Sequence, residues 1–371
     1  MNPLQILSSS LVQQYSAPVL VMNTQSIMHN MRAFNWAMPA VEINYAVKCN
    51  PHKNVLQTIH DNGGSFDVAS IAEVEMLTEI EGVDFSRVLY SNPVRPIRYI
   101  TRAAELGVRW FVVDSIHEAD KVHNNCPDAQ LYIRLIVPNE DSQFPLTGKF
   151  GVDLDDAKKI VDHCAANNIS LRGVSFHVGS QCCNVNNWKV GIDTSEILFD
   201  YMKSKGLNPD FLDLGGGYPV FHNVPVPFIG EIGIVISHAI RRFGDNIRVV
   251  AEPGRFMVSD AGHMLCQVVS RNIRNGVEWI YLDVGVFHGL IEMTVDGFDY
   301  SFVTADNQPE RNVAIAGSSC DSLDIVKRSA PMPVVQDGQF IVVKNAGAYT
   351  TTYGTYFNGF PPPSVLFVSD K

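Results

Sequence analysis

Apolar, β-branched runs recur along the first two-thirds of the chain, each followed by room for a helix. They are INYAVK (43–48), SFDVAS (65–70), RVLYSN (87–92), WFVVDS (110–115), QLYIRLI (130–136), RGVSFHV (172–178), FLDLGG (211–216) and IRVVAE (247–252). Between them, HKNVLQTIHDN, IAEVEMLTEI and DDAKKIVDHCAANN space their apolar residues as helices do. Continuous apolar strands alternating with helices predict a parallel sheet covered on its outer face. Eight such units predict an α/β fold of the (β/α)8 barrel type rather than an open, doubly wound sheet.

The punctuation changes after about residue 256. Helical spacing stops, and short β-rich runs follow, separated by Gly, Pro and Asp: HMLCQVVSRNI, VEWIYLDVG, RNVAIAG, QFIVVKNAG and SVLFVSD. This predicts a barrel domain over 24–256 and a mainly antiparallel β domain over 257–371. PVLVMN (18–23) reads as a further strand lent to that β domain by the N-terminal segment 1–23.

Composition narrows the function classes. The 371 residues are 46% hydrophobic and 18% charged, as in a well-buried globular protein. With a net charge of −11 and no Lys/Arg run, nucleic acid and anionic membranes are poor partners. Such a field favours a small cationic substrate, although acidity of this size is common in cytoplasmic proteins. The N-terminal MNPLQILSSSLVQQYSAP lacks the basic start and apolar run of a signal peptide, and no segment approaches a membrane span. Seven cysteines, two of them adjacent at Cys182 and Cys183, suit neither a disulfide framework nor a metal site. A reducing, cytoplasmic location and no bound metal are the expectations.

Catalytic groups of such barrels sit at the C-terminal ends of the strands. Lys48, Asp67, Arg134, His177, Gly215 to Gly217 and Glu252 all fall there. Each has a functional and a plain reading. Lys48 could form a Schiff base with a carbonyl, or simply snorkel at a strand end. The glycines could admit a phosphate to backbone N–H groups, or serve a tight turn. In AEPGR (251–255), Glu252 and Arg255 could serve a ligand or form a structural ion pair. His177 in SFHVGS could stack on an aromatic cofactor, with Ser180 on its phosphate, or be a satisfied core histidine. Cys320 in GSSCDSLD lies beside Asp321, which favours a proton-donating thiol over a standing thiolate.

Taken in order and spacing, YAVKCN, FDVAS, SFHVGS, LDLGGG, AEPGR, GSSCDSLD, GAYT and YFNGF resemble the ornithine/arginine/diaminopimelate decarboxylases, nearest to the ornithine branch. These are pyridoxal 5'-phosphate (PLP) enzymes with a barrel like that of alanine racemase and an added β domain. The resemblance spans about residues 18 to 360 and implies roles position by position. Lys48 would hold PLP as a Schiff base, Glu252 would pair with the protonated pyridine nitrogen, and His177 would stack on the ring. Ser180, Gly216, Gly217, Gly254, Arg255 and Tyr349 would surround the phosphate, with Asp67 and Arg134 close to the ring. Cys320 would protonate the α-carbon across the interface of a homodimer.

The resemblance also implies that Asp296 and Asp321 receive the distal ammonium of the substrate, near Phe357 of YFNGF. Two carboxylates suit an ammonium and would repel the distal carboxylate of diaminopimelate. L-Ornithine, yielding putrescine and CO2, is the expected substrate, with lysine or arginine as the alternative. An inactive regulatory homologue is the reading from a different class, and an alanine-type racemase is disfavoured because Glu252 preserves a pyridinium electron sink. Three positions depart from the branch: Val284 where an acidic residue is usual, Phe287 where Tyr is usual, and His288.

Overall fold

The computed structural model describes residues 2–14, 18–146, 148–305 and 309–368. The last two positions of the strand expected over 364–370, and residues 1 and 15–17 of the N-terminal segment, lie outside the described residues. The chain forms two compact units. One comprises Asn30–Pro219 with Val226–Gly254; the other comprises Met1–His29, Val220–Pro225 and Arg255–Lys371.

The first unit is a closed barrel. Its strands, in closed order, are Glu42–Ala46, Ser65–Val68, Leu89–Tyr90, Trp110–Val113, Gln130–Leu135, Leu171–Phe176, Phe211–Asp213 and Arg248–Ala251. Every neighbouring pair is parallel, and each of the eight apolar runs supplies one strand. Leu89, Val112, Tyr132, Phe211 and Val250 form one buried cluster. The Phe211 ring lies 4.3 Å from that of Trp110 and 5.0 Å from that of Tyr132. Large rings from the fourth, fifth and seventh strands fill the interior, so the barrel is a packed core and not a pore.

Side-chain caps set where the outer helices begin. Ser70 Oγ accepts from the Glu73 N–H at the start of Ile71–Leu77, while the Glu73 carboxylate accepts from the Ala69 N–H at 2.6 Å. Asp153 Oδ1 accepts from the Asp156 N–H at 2.9 Å ahead of Leu154–Ala166. Such caps satisfy N–H groups that no helix turn reaches. They keep the strand-to-helix connections short and so hold the strand ends in register. Beyond the fifth and sixth strands, Ser142–Phe144 pairs antiparallel with Ser180–Cys182, a ribbon absent from the sequence-based expectation.

The second unit is a sheet in the order Phe302–Val303, Phe340–Val343, Gly262–Arg274, Val277–Leu282, Glu310–Gly317 and Ile325–Pro333. Val19–Asn23 runs antiparallel to Gly262–Arg274 and parallel to Ser364–Val368. Apart from that parallel pair and the one between Val277–Leu282 and Glu310–Gly317, the ladders are antiparallel. Ile325–Pro333 carries two prolines, which lack the N–H a central strand needs, and it lies at the end of the sheet where that loss is tolerated.

Because Phe211 is fully buried between two other rings, Phe211→Ala is expected to lower unfolding stability by about 3–5 kcal/mol. Urea unfolding followed by tryptophan fluorescence measures this, and a loss below about 1 kcal/mol would show that the barrel interior is not packed as described.

Candidate active site

The first barrel strand stops at Ala46, and a single 3-10 turn, Val47–Cys49, carries Lys48 off its end. The turn buries Val47 and Cys49 and leaves Lys48 accessible. Lys48 Nζ donates to Asp67 Oδ2 at 2.7 Å. Asp67 belongs to the second strand and its side chain is wholly buried. Lys48 is therefore held in an ion pair with a buried carboxylate. The other Asp67 oxygen, Oδ1, has no hydrogen-bond partner.

Glu252 follows the eighth strand, where its backbone N–H donates to Gly215 O at 2.9 Å. Its Oε1 accepts a short hydrogen bond from Ser91 Oγ, which in turn lies 3.0 Å from the Tyr132 hydroxyl. Asp213, at the end of the seventh strand, is fully buried; its Oδ1 accepts from the Gly215 N–H at 2.9 Å, and its Oδ2 has no hydrogen-bond partner. Burial, then the Asp67 charge, raise Glu252 to about 7, against the opposing pull of Lys48. Burial and the Glu252 charge raise Asp213 well above the ordinary aspartate range. The barrel mouth thus gathers three buried carboxyl groups around one lysine.

His177 follows the sixth strand, and its Nδ1 accepts from the Gly179 N–H at 3.0 Å. That bond leaves the ring proton on Nε2. Burial, with Arg134 and Lys48 adding to it, holds the imidazole well below its usual pKa, so the ring is neutral. Gly216 comes so close that a Cβ there would sit 2.9 Å from His177 Nε2 and 2.9 Å from Glu252 O. Gly217 has φ +103°, and a Cβ there would meet Gly179 O at 2.4 Å. Only glycine fits either position, and the Gly215–Gly217 loop lies against the imidazole. Gly254 is similarly close to Ala46 and Cys49. Arg134, on the fifth strand, is half-buried with its guanidinium 5.9 Å from the Phe150 ring centre. Ser180 opens the second strand of the antiparallel ribbon.

In the sheet unit, Arg255 donates to both oxygens of Glu292, at 2.9 Å from Nη1. Its guanidinium lies over the rings of Tyr349 at 4.9 Å and Phe298 at 5.3 Å. The carboxylate paired with Arg255 is therefore Glu292 rather than Glu252. Tyr349 sits at φ +65°, an uncommon backbone conformation for a bulky residue. Asp296 is exposed and lines a cavity of about 430 Å³ with Thr294, Ser322, Leu323, Lys327 and Arg328. Asp321 Oδ1 accepts from the Leu323 N–H at 2.8 Å. Cys320 is exposed, and its N–H donates to Asn358 Oδ1 at 2.9 Å. Phe357 lies 4.6 Å ring to ring from Phe287.

Three residues of these two clusters escaped the sequence-based reading: Ser91, Asp213 and Glu292. Asp324, which closes GSSCDSLD, is buried and accepts from the N–H groups of Val286 at 2.7 Å and Ser319 at 3.2 Å, tying two loops together. A signal existed for Asp213, a charged residue two positions from Phe211 and so on the same face of an apolar strand. No comparable signal marked the other two. Among the described residues, no helix is long and apolar enough to cross a membrane, and no cluster of three or more His, Cys, Asp or Glu side chains is arranged to hold a metal ion.

The sequence profile described as "Pyridoxal-dependent decarboxylase, pyridoxal binding domain" matches residues 24–259. A lysine/ornithine decarboxylase of Selenomonas ruminantium is 30% identical, over 96% of this chain and 91% of its own. Antizyme inhibitor 2 of Xenopus laevis is 29% identical, over 90% and 77%. The crystal structure of a lysine/ornithine decarboxylase from Vibrio vulnificus, complexed with putrescine, superposes with a TM-score of 0.90 at 30% identity, covering 98% of each chain. The barrel mouth fits PLP on its own terms. It offers an accessible amine, buried carboxyl oxygens without a donor at Asp67 and Asp213, a neutral imidazole, and a loop that excludes any Cβ. The chain belongs to the PLP-dependent decarboxylase family.

Proposed function

We propose that the protein decarboxylates L-ornithine to putrescine and CO2, acting as a homodimer. The observation that carries this reading is the barrel mouth, where Lys48, Asp67, His177 and Glu252 meet at the ends of four different strands. PLP, when bound, supplies an electron sink for the pair left on the α-carbon as CO2 departs. Lys48 is the amine that holds its aldehyde, and Asp67 orients that amine. Glu252 keeps a proton on the pyridine nitrogen, and neutral His177 offers a flat face to the ring without adding charge. Ser180, Gly216, Gly217, Gly254, Arg255 and Tyr349 are the candidates for its phosphate, with Arg134 beside the ring.

The thiol of Cys320 carries the proton returned to the α-carbon, and in the homodimer reading it comes from the second subunit. Its exposed position on a loop held by Asn358 suits that task. Asp296 and Asp321 receive the distal ammonium, with Phe357 against the methylenes. A chain-length preference built from one methylene is worth about 1–3 kcal/mol, so turnover of lysine alongside ornithine is compatible with this pocket.

CO2 release from ornithine, lysine and arginine should favour ornithine, by roughly tenfold or more in kcat/KM over lysine. Absence of release from ornithine would overturn the assignment, and PLP binding without turnover of any of the three would favour a regulatory homologue. Asp296→Asn is expected to raise KM for ornithine by roughly tenfold or more through loss of a charge-assisted hydrogen bond. The PLP absorbance should be untouched, and unchanged kinetics would remove Asp296 from the substrate site.

A further inference from the structure

Asp296 stands at the tip of a turn in the sheet unit, a poor place from which to hold a substrate unless the turn is fastened. The stretch runs from the 3-10 turn Ile291–Thr294 to Asp299. Met293 and Phe298 are buried towards its two ends, while Asp296 and Gly297 are exposed between them, and Gly297 has φ +83°. The Val295 N–H donates to Glu292 O at 3.1 Å and the Phe298 N–H to Val295 O at 3.3 Å. Each of these bonds spans three positions, so it shapes the turn locally without tying it to the neighbouring sheet.

Lys327 makes that tie. It lies on Ile325–Pro333, where it pairs with Ile315 of the neighbouring strand, three positions after Asp324 of GSSCDSLD. Its Nζ donates to Met293 O at 3.2 Å and to Phe298 O at 3.3 Å, one carbonyl on each side of Asp296. It also lies 2.9 Å from Asp299 Oδ1, an ion pair that is not aligned as a hydrogen bond. One side chain thus clasps both ends of the turn onto a strand of the sheet. Its charge is answered as well. Lys327 lines the same cavity as Asp296, and an uncompensated ammonium there would repel a cationic substrate. Asp299 offsets that charge, so Lys327 fastens the turn without opposing Asp296.

We propose that Lys327 is a positioning residue for substrate recognition: by clasping Met293 O and Phe298 O it fixes the direction in which Asp296 presents its carboxylate to the distal ammonium. This rests on Asp296 being the group that receives that ammonium. A carboxylate held in place before the substrate arrives gives its full charge-assisted hydrogen bond, whereas one on a loosened turn spends part of that gain on being ordered. Lys327 acts through Asp296, so it belongs to substrate capture and not to the chemistry at the α-carbon. A lysine that merely stabilised the sheet unit would make the same contacts, and the two roles differ in what its loss does to KM.

Lys327→Met keeps the apolar stem and removes the charge and the N–H donors. In the PLP-loaded protein it should raise KM by roughly three- to tenfold for whichever basic amino acid is turned over best, and no further than Asp296→Asn does, with kcat within about twofold. The PLP dissociation constant should not move. Lys327→Arg, which keeps a cation and donors at the clasp, should bring KM back to within about threefold of the parent value. In an Asp296→Asn background, Lys327→Met should change KM by less than about twofold, because the carboxylate it acts through is gone. An unchanged KM in Lys327→Met, the same rise with and without the Asp296 carboxylate, or a parallel loss of PLP binding and kcat would overturn the proposal. Should Lys327→Met fail to fold, Lys327→Gln, which retains a donor, carries the same comparison with a smaller rise. Asp296→Asn alone tests the underlying reading: an unchanged KM there removes Asp296 from the substrate site and the proposal with it, whereas a raised KM leaves any failure to Lys327 itself.

Discussion

Three carboxyl groups, Asp67, Asp213 and Glu252, are buried beside one accessible lysine at the end of the barrel, and the rest of the site is arranged around that imbalance. Removing carboxylates from water is costly unless cations or hydrogen-bond donors meet them. Lys48 answers for Asp67, and Ser91 and the Gly215 N–H answer in part for Glu252 and Asp213. A cofactor ring protonated at its nitrogen would supply a further positive charge. The acidity of the barrel mouth is thus a property of the pocket that prepares it for its cofactor, distinct from the net charge of the whole chain.

The barrel makes this possible because it brings together residues far apart in sequence, with their backbones fixed by parallel ladders. Side chains on such a frame lose little additional freedom when a ligand arrives. Much the same holds within the sheet unit for the loop of Cys320. Asp324 receives N–H groups from Val286 and Ser319, Asn358 receives the N–H of Cys320, and His288 Nε2 lies 3.3 Å from Phe357 O. The three unusual positions, Val284, Phe287 and His288, lie in one of the segments braced in this way. His288 is buried and edge-on to Phe360, so its ring packs the loops rather than facing solvent.

Much of this architecture was legible in the sequence, since continuous apolar runs separated by helical spacing have few alternatives to a parallel barrel. Lys48, His177 and Glu252 were legible because each is a polar residue closing such a run. The pairing of Arg255 with Glu292 was not, because nothing in AEPGR indicates a carboxylate in another motif. Ser91 and Tyr132 were hidden for a different reason: a serine and a tyrosine at strand positions are ordinary until a carboxylate is seen beside them. Ile325–Pro333 escaped because its two prolines argue against a strand, and only the sheet order shows that it lies at an edge. Asp213 lay in view within LDLGGG, but its burial and its carboxyl neighbour are properties of the closed barrel.

The charge balance at the barrel mouth is tested most directly by the nitrogen-15 resonance of the ring nitrogen in bound, isotope-labelled PLP. The account predicts a protonated pyridine nitrogen throughout neutral pH, losing its proton when Glu252 is replaced by Gln. An unprotonated nitrogen in the parent protein would contradict it, because Glu252 would then have no cationic partner on the ring.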